Sequence, residues 1–320
     1  MSQPRSIQRV VTGVEQSEGA GARVRRLIGT NSIERFNPFL MFDHFKSNRP
    51  DGFPEHPHSG QETITYCLLG AICHEDFTGS KGVLYPGDLQ FMTAGKGIVH
   101  LEMPVPSTDG QPAELLQFWV DLPRKQKECR PRYRDLREWE VPVYTSDDGL
   151  VSVKVISGSL YGVGEAREFT YTPIELYHFT VKPGAEWRQQ LTAEYNYFLY
   201  VIRGNGLQVS GKPISAFETV FFNDRGDHIV GTATKETEFI IAGGLQLDQK
   251  LEIQGPFVTN DKKSMAKKIE AYKTHKGGFE KLNTWTTLIS GGVTADMING
   301  PLKGNRDKRN QAKQRYLLRG

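Results

Sequence analysis

The feature that most constrains this chain is a pair of short motifs between Gly52 and Pro104. His56 and His58 are two residues apart in G-F-P-E-H-P-H-S-G-Q-E, and His100 and Glu102 are two apart in G-K-G-I-V-H-L-E-M-P. In an extended segment, residues i and i+2 point to the same face. Each pair therefore presents two side chains in one direction, and two such strands can face each other across a β-barrel.

The four side chains have the chemistry of a metal site. Three imidazoles and a carboxylate form a nitrogen and oxygen ligand set that suits Fe, Mn, Ni or Cu, and Zn less specifically. Pro54 and Pro57 stiffen the segment that carries the first pair. Bends on either side of the motifs are supplied by Gly52, Gly87, Gly95 and Gly97. The sequence predicts one mononuclear metal site.

The spacing leaves the identity of the carboxylate ligand open. Glu62 follows the first pair as H-x-H-x-x-x-E, so either Glu62 or Glu102 could point towards the metal. The other carboxylate could accept a hydrogen bond from an imidazole N–H and fix the tautomer of that ring. His74 comes after the strand break at Gly70, and we expect a structural or outer hydrogen-bonding role for it. We expect His44 not to be a ligand.

Short runs of β-branched and aromatic residues dominate the remainder of the chain. The pattern of segment 62–75 predicts two strands separated by Gly70, and that of residues 115–122 predicts a further strand. After the polar stretch 124–150, a second series of short strand patterns begins. Strand patterns then occur at 176–181, 195–202, 206–209, 219–222, 228–230 and 238–242. This is typical of an all-β protein with two barrels or sandwiches related by a weak internal repeat.

The second half of the repeat has no H-x-H, because Arg188, Gln189 and Gln190 occupy that region. We therefore predict a metal-binding domain at 1–125, a connection at 126–150 and a barrel without metal ligands at 151–259. A helical segment is expected at 260–290, with Met265, Ile269 and Tyr272 on its apolar side and a cap at Asn260 or Asp261. Residues 291–320 are expected to form a basic, flexible tail.

Charge and cysteine content limit the function classes. Seven Lys or Arg and one Asp from residue 303 onwards give a local charge of +6 within a total of +3, so the first 302 residues carry −3. A body without excess basic charge makes direct nucleic-acid binding an unfavoured function. Three cysteines without C-x-x-C spacing and no long apolar stretch indicate a cytoplasmic or nuclear protein that does not span a membrane.

Several motifs together resemble one family. H-P-H-S-G-Q-E-T-I-T-Y, H-E-D-F-T-G, G-D-L-Q-F-M-T-A-G-K-G-I-V-H-L-E-M-P, N-P-F-L-M-F-D and G-P-F-V-T-N are similar to pirin, a bicupin family of the cupin superfamily. The resemblance runs from about Ile7 to about Trp285. It implies two stacked antiparallel β-barrels of cupin type with a C-terminal helix. It also implies an iron site made by His56, His58, His100 and Glu102. After H-P-H this chain has Ser59-Gly60-Gln61, where many relatives have Arg-Gly-Phe.

The same resemblance implies two functions of different classes. Some pirins resemble flavonol dioxygenases, which open the central ring of quercetin with O2 and release CO. In that case Glu102 would act as a general base, and Phe53, Phe91 and Met92 are candidates for the wall that packs a flat aromatic substrate. Animal pirins instead behave as nuclear proteins that bind transcription regulators, with the iron oxidation state as a switch. The expected cofactor in both cases is one Fe ion, which Mn, Ni, Cu or Zn could replace.

Overall fold

Antiparallel strands account for most of the chain. The computed structural model describes residues 2–19, 21–47, 52–107, 110–164 and 169–318. The strands up to the middle of the chain are β1 (Ile7–Thr12), β2 (Val14–Glu18), β3 (Ala22–Ile28), β4 (Phe39–Ser47), β5 (Phe53–His58), β6 (Gln61–Leu69), β7 (Ile72–Asp76), β8 (Lys81–Leu84), β9 (Leu89–Thr93), β10 (Ile98–Pro104), β11 (Ala113–Asp121) and β12 (Arg132–Leu136). The later strands are β13 (Val143–Thr145), β14 (Val151–Ser157), β15 (Ile174–Val181), β16 (Glu186–Gln190), β17 (Tyr195–Arg203), β18 (Leu207–Val209), β19 (Lys212–Ile214), β20 (Glu218–Phe222), β21 (His228–Ala233), β22 (Thr237–Leu245), β23 (Glu252–Gln254) and β24 (Phe257–Thr259). The helices are α1 (Lys262–Lys273), α2 (Ala295–Asn299) and α3 (Arg306–Leu317).

The contacts divide the chain into two compact units. Unit N comprises residues 15–29, 39–140 and 248–320, and unit C comprises residues 1–14, 30–38 and 141–247. The sequence interpretation placed its boundaries consecutively along the chain, whereas these units alternate along it. The N-terminal strand β1 pairs with β20 inside unit C, with Val10 opposite Val220. This pairing covers a sheet edge whose backbone groups would otherwise be open.

The two units share one topology. Unit N has a seven-stranded sheet in the order β12-β9-β6-β11-β4-β3-β2 and a four-stranded sheet in the order β5-β10-β7-β8. Unit C has the orders β1-β20-β17-β22-β15-β14-β13 and β16-β21-β18-β19. The nine strands β3 to β11 of unit N correspond, in the same order, to the nine strands β14 to β22 of unit C. For example, β5 corresponds to β16 and β10 corresponds to β21. The all-β fold class and the internal repeat are confirmed, with open sheets of jelly-roll type in place of closed barrels.

The helix predicted after residue 260 is present as α1. The Asp261 side chain caps it by accepting a hydrogen bond of 2.8 Å from the Ser264 backbone N–H. Met265 is buried in a cluster with Phe77 and Phe279 of unit N. The described part of α1 therefore carries a buried apolar side, as its spacing predicts. No helix of the described residues is both long enough and apolar enough to cross a bilayer.

The basic C-terminal segment is attached to unit N, in contrast to the flexible tail expected from its composition. Leu302 is 1% exposed and packs in a cluster with Val83 and Leu101. In α3, the Arg309 guanidinium donates two hydrogen bonds, of 2.7 and 2.6 Å, to the fully buried carboxylate of Asp88. A buried carboxylate requires donors to offset its lost hydration. Charge counting along the sequence does not reveal such a partner.

Removing this attachment tests whether α3 is part of the folded unit. We expect Arg309→Ala to lower the free energy of unfolding by about 1–3 kcal/mol, because Asp88 loses two charge-assisted hydrogen bonds but keeps Arg137. The measurement is urea unfolding, together with limited proteolysis of the C-terminus. The exposed Lys308 on the same helix provides a matched control. Equal stability of Arg309→Ala and Lys308→Ala would contradict this account.

Candidate metal centre

The predicted ligands lie on two neighbouring strands of the four-stranded sheet in unit N. His56 of β5 is directly opposite His100 of β10, and His58 is opposite Ile98. The alternation of strand side chains therefore directs the three imidazoles towards the inside of the unit. On the other face of β10, Leu101 packs among apolar residues. The i, i+2 argument from the sequence holds for this part of the chain.

The three imidazoles form one compact group. Their ligand nitrogens all lie within 4.8 Å of one another. The Nε2 atoms of His56 and His100 are 3.0 Å apart, and the ring centroids of the three residues are 4.4 to 4.9 Å apart. Two imidazole nitrogens bound at right angles to a metal, at about 2.1 Å each, would lie about 3.0 Å apart. The spacing of these nitrogens thus fits a shared cation.

Hydrogen bonding at the outer ring nitrogens bears on the tautomers that a metal requires. His56 Nδ1 lies 2.7 Å from the carbonyl oxygen of Pro54, which can only accept, so Nδ1–H donates and Nε2 keeps its lone pair. His58 Nδ1 lies 2.7 Å from Gln61 Nε2, while Gln61 Oε1 is buried without a hydrogen-bond partner among the described residues. Turning this amide by 180° would place Oε1 against His58 Nδ1, so that Nδ1–H donates and Nε2 is a free ligand atom.

Burial keeps two of the rings neutral. His58 and His100 are 0% and 2% exposed. Burial, followed by the nearby charge of His56, holds the pKa of both rings well below the ordinary value. His58 Nε2 and His100 Nδ1 have no hydrogen-bond partner among the described residues. A neutral buried imidazole is a ready metal ligand, since metal binding requires the deprotonated form.

Glu102 lies next to this group and is oriented by two polar side chains. Thr65 Oγ1 donates to its Oε1 at 3.1 Å, and Gln117 Nε2 donates to its Oε2 at 2.8 Å. Gln117 in turn accepts from Trp119 Nε1 at 3.0 Å. Among the residues that the structure describes, the compact group of ligand atoms consists of the three histidines. Coordination by Glu102, through the oxygen lone pairs that these donors leave free, therefore remains a prediction.

The alternative carboxylate, Glu62, lies on the other face of β6. Glu62 is three residues from Thr65, which bonds Glu102, so the two side chains point to opposite faces of the strand. The Glu62 carboxylate instead accepts a hydrogen bond of 2.6 Å from Thr93 Oγ1. Gln61 and Thr65, which share the inward face of β6 with Thr63, are bonded to His58 and Glu102. Sequence reasoning missed both as partners of the ligands, although their even spacing along β6 could have indicated them.

The candidate wall residues differ in position. Phe53 is opposite Glu102 in the β5–β10 pair, and its ring centroid lies 6.5 Å from that of His56. Met92 pairs with Thr63 and Tyr133, on the inward face, and also belongs to the cluster that contains α1 residues. Phe91 is the next residue on β9, so its side chain points to the opposite face. Of the three, Phe53 lies beside the histidines.

A second group of buried polar atoms lies further along the same inner face. His74 of β7 is opposite Glu102, and Asp76 is opposite His100. His74 Nε2, Asp76 Oδ2 and the Tyr133 hydroxyl are buried and make no hydrogen bond of ordinary length among the described residues, although His74 Nε2 lies 3.8 Å from Asp135 Oδ2. Burial, with the charge of Asp76, raises the pKa of Tyr133 well above its ordinary value. Water or polar groups of a bound molecule would satisfy these atoms.

The hydrogen bond between Gln61 and His58 predicts an effect on metal affinity. We expect Gln61→Leu to weaken metal binding by about 10- to 100-fold, because His58 loses the partner that fixes its tautomer. Gln61→Glu should retain tight binding, since a carboxylate also accepts from Nδ1–H. Competition with a chelator measures the affinity. Gln90 lies on the same inward face and bonds Asp135, so Gln90→Leu is the control. Equal losses in Gln61→Leu and Gln90→Leu would contradict this role.

The lowered histidine pKa values predict how pH affects the metal-free protein. The folded state keeps His58 and His100 neutral, whereas the unfolded chain takes up protons below about pH 6.5. The free energy of unfolding should therefore fall as the pH decreases below about 6.5, by up to about 1.4 kcal/mol per pH unit for each of the two residues. Urea unfolding of chelator-treated protein between pH 7.5 and 5.5 measures this slope. His58→Gln should flatten it, and an unchanged slope would contradict the assignment.

Comparisons with known proteins agree with this architecture. The pirin family model matches residues 21–120, and the model of the pirin C-terminal cupin domain matches residues 176–279. Human pirin is 39% identical over 295 residues, which cover 90% of this chain and 99% of that protein. A pirin-like protein of Solanum lycopersicum is 38% identical, covering 89% of this chain and 97% of the relative.

Solved structures show the same fold at low sequence identity. A quercetin 2,3-dioxygenase from Acinetobacter baumannii has a TM-score of 0.79 at 23% identity and covers 87% of this chain and 99% of its own. A bacterial pirin from Escherichia coli, in complex with nickel(II), has a TM-score of 0.59 at 22% identity and covers 74% and 99%. These likenesses concern the fold. Both domain models, and close similarity over nine tenths of the sequence, show that this chain belongs to the pirin family.

Proposed function

We propose that this chain binds one iron ion through His56, His58, His100 and Glu102 and acts as a flavonol dioxygenase of the quercetin 2,3-dioxygenase type. The observation that supports this most directly is the group of three inward-facing imidazoles with ligand nitrogens within 4.8 Å of one another. Four protein ligands leave two positions of a six-coordinate ion for a substrate or O2. An open coordination position is typical of catalytic sites and not of structural ones.

The polar interior of unit N favours a catalytic site over a purely structural core. Glu102, Thr65 and Gln117 form a buried hydrogen-bonded group beside the histidines. In the corresponding strands of unit C, Phe239 is opposite Val201 and Ile241 is opposite Leu199, all of them buried in one apolar cluster. A fold that can be stabilised by an apolar interior thus carries a polar one in unit N. Buried polar groups of this kind destabilise the fold unless they are bonded.

The chain's own residues have defined tasks in such a reaction. A bound iron ion would supply Lewis acidity towards a flavonol hydroxyl group and redox chemistry towards O2. Glu102 would take the hydroxyl proton on a carboxylate oxygen, while Thr65 and Gln117 hold the carboxylate in a fixed orientation. Phe53, which packs against Phe45 at a centroid distance of 5.4 Å, offers an aromatic face near His56 for a flat substrate.

Turnover of quercetin tests this proposal. We expect protein reconstituted with Fe(II) to consume quercetin and O2 and to release CO, and His56→Ala to reduce the rate by at least about 100-fold, since it loses a ligand. Glu102→Gln should reduce kcat by about 100- to 10,000-fold through loss of the proton acceptor. Glu62→Gln removes a neighbouring carboxylate from the opposite face of β6 and should leave the rate close to that of the wild type.

Three outcomes of the same experiment would contradict the proposal or one of its parts. Iron bound at one per chain without any consumption of O2 would overturn the dioxygenase assignment and leave the metal site intact. A rate unaffected by His56→Ala would place the chemistry elsewhere. Equal losses in Glu62→Gln and Glu102→Gln would remove the special role of Glu102.

Burial of the ligands favours a second candidate function. His58 and His100 are almost completely buried, and only His56 of the three is partly exposed. An ion held there changes the charge beneath one partly exposed strand, β5, as its oxidation state changes. We infer from this that an iron-dependent, redox-sensing regulator that binds a transcription-regulator protein is the alternative. This alternative would be favoured if the Fe(II) and Fe(III) forms of the protein bound a partner with different affinities and neither form turned over quercetin.

A further inference from the structure

Unit N contains a cavity of about 430 Å³ beside its basic C-terminal segment. Volumes of this order are typical of small-molecule sites. The lining comes from β8, from residues 137–139, from the loop between α2 and α3, and from the first two turns of α3. Its lining residues are Val83, Tyr85, Arg137, Trp139, Asn299, Gly300, Lys303, Gly304, Asn305, Lys308, Arg309 and Ala312.

The lining of this cavity carries an excess of positive charge. It contains no Asp or Glu, and its four cationic residues are Arg137, Lys303, Lys308 and Arg309. Two carboxylates pair with the arginines, since Asp88 forms an ion pair with both and Asp135 lies 3.3 Å from one of them. Four cations against two carboxylates leave two positive charges at the cavity.

The two lysines supply this excess. Lys303 and Lys308 are exposed, and neither forms an ion pair with another residue that the structure describes. Glu138, which lies near this end of the unit, is instead paired with Lys313 at 2.7 Å. Asp307 precedes Lys308 on α3 but is not part of the lining. The lysine ammonium groups are therefore available to an anion from solution.

Arg309 offers further N–H donors in a fixed orientation. Its guanidinium lies over the rings of Tyr85 and Trp139, at 5.2 and 4.6 Å from their centroids. The bonds to Asp88 use two of its five N–H groups. The two rings and the buried carboxylate hold the guanidinium in place before a ligand binds, which lowers the entropic cost of binding.

Charge and volume together indicate the class of ligand. Two uncompensated ammonium groups beside a rigid guanidinium favour a doubly charged anion, and a phosphate monoester carries about −1.5 to −2 charges at pH 7. The cavity has about the liquid volume of fourteen water molecules, which is more than a lone inorganic anion fills. Val83, Tyr85, Trp139 and Ala312 provide apolar and aromatic surface for an organic group.

We propose that this cavity binds a small phosphate monoester with an apolar or aromatic organic group, through Lys303, Lys308 and the guanidinium of Arg309. The site requires neither iron nor the chemistry proposed for the three histidines. It also gives the basic C-terminal segment a role in binding, because the loop before α3 and the start of α3 supply both lysines.

The test titrates the full-length protein with phenyl phosphate and follows the tryptophan indole N–H signals by ¹⁵N NMR. Trp139 lines the cavity, and the other tryptophans are Trp119, Trp187 and Trp285. We expect the Trp139 signal, identified by its loss in Trp139→Phe, to shift to saturation and by more than the other three. Trp119, whose ring lies 4.9 Å from that of His58, reports on the metal centre in the same spectrum.

Two simpler molecules separate the parts of the ligand. Phenol lacks the phosphate group and should leave the Trp139 signal in place at the concentration where phenyl phosphate saturates it. Inorganic phosphate lacks the ring and should bind at least about fourfold more weakly, since it buries no apolar surface on the aromatic lining.

Removal of the two lysines tests the role of charge. The double variant Lys303→Asn, Lys308→Gln should bind phenyl phosphate at least about tenfold more weakly, because two charge-assisted contacts are lost. Asn tolerates the left-handed backbone of residue 303, whose φ is +55°. The double variant Lys262→Gln, Lys267→Gln removes the same charge from exposed positions of α1 and should keep the affinity of the wild type.

Four results would overturn the proposal. The first is a Trp139 signal that does not move at millimolar phenyl phosphate, and the second is an equal shift with phenol. The third is an equal loss of affinity in the two double variants. Inorganic phosphate that binds as tightly as phenyl phosphate would overturn the assignment to a monoester.

Discussion

The pairing of β5 with β10 is the constraint on which the candidate site depends. Direct opposition of His56 and His100 brings two Nε2 atoms to 3.0 Å, and the i, i+2 relation adds His58 on the same face. A shift of this pairing by one residue would turn these side chains to the other face, where Leu101 packs among apolar residues. The register of two strands therefore decides whether this face of unit N presents three imidazoles or an apolar surface.

Support for this register comes from outside the histidines. The carbonyl of Pro54 holds His56, the amide of Gln61 holds His58, and Thr65 and Gln117 hold Glu102. These contacts fix tautomers and ring orientations before any ion binds. Preorganised ligands lose less conformational freedom on binding. Such preorganisation has a cost, because neutral histidines and unpartnered nitrogens remain buried in the metal-free protein.

The comparison of the two units shows how one topology supports different interiors. Both sheets of unit C follow the strand order of unit N. Where His56 and His100 pair in unit N, the bulky Trp187 pairs with Gly231, and the indole occupies the space that a Cβ would need. Backbone pairing is insensitive to this exchange, since the main-chain hydrogen bonds remain. The side chains alone decide between a polar interior in unit N and an apolar core in unit C.

Much of this could be predicted from the sequence, for identifiable reasons. The similar series of short strand patterns on either side of residues 124–150 indicated the repeat, because short strands and glycine turns can be recognised from neighbouring residues in the sequence. The even spacing of His56 with His58 predicted their common face. The pairing of β1 with β20 and of Arg309 with Asp88 could not be predicted, because both join residues more than 200 positions apart.

Anomalous diffraction at the iron edge, from crystals of the full-length protein loaded with Fe(II), tests the central claim most directly. The account predicts one strong anomalous peak per chain, within about 2.0–2.3 Å of a nitrogen from each of His56, His58 and His100 and of an oxygen of Glu102. No peak should occur near Trp187. A peak at other residues would contradict the account. So would a peak bound by the histidines while Glu102 stayed out of contact with the metal and bonded only to Thr65 and Gln117.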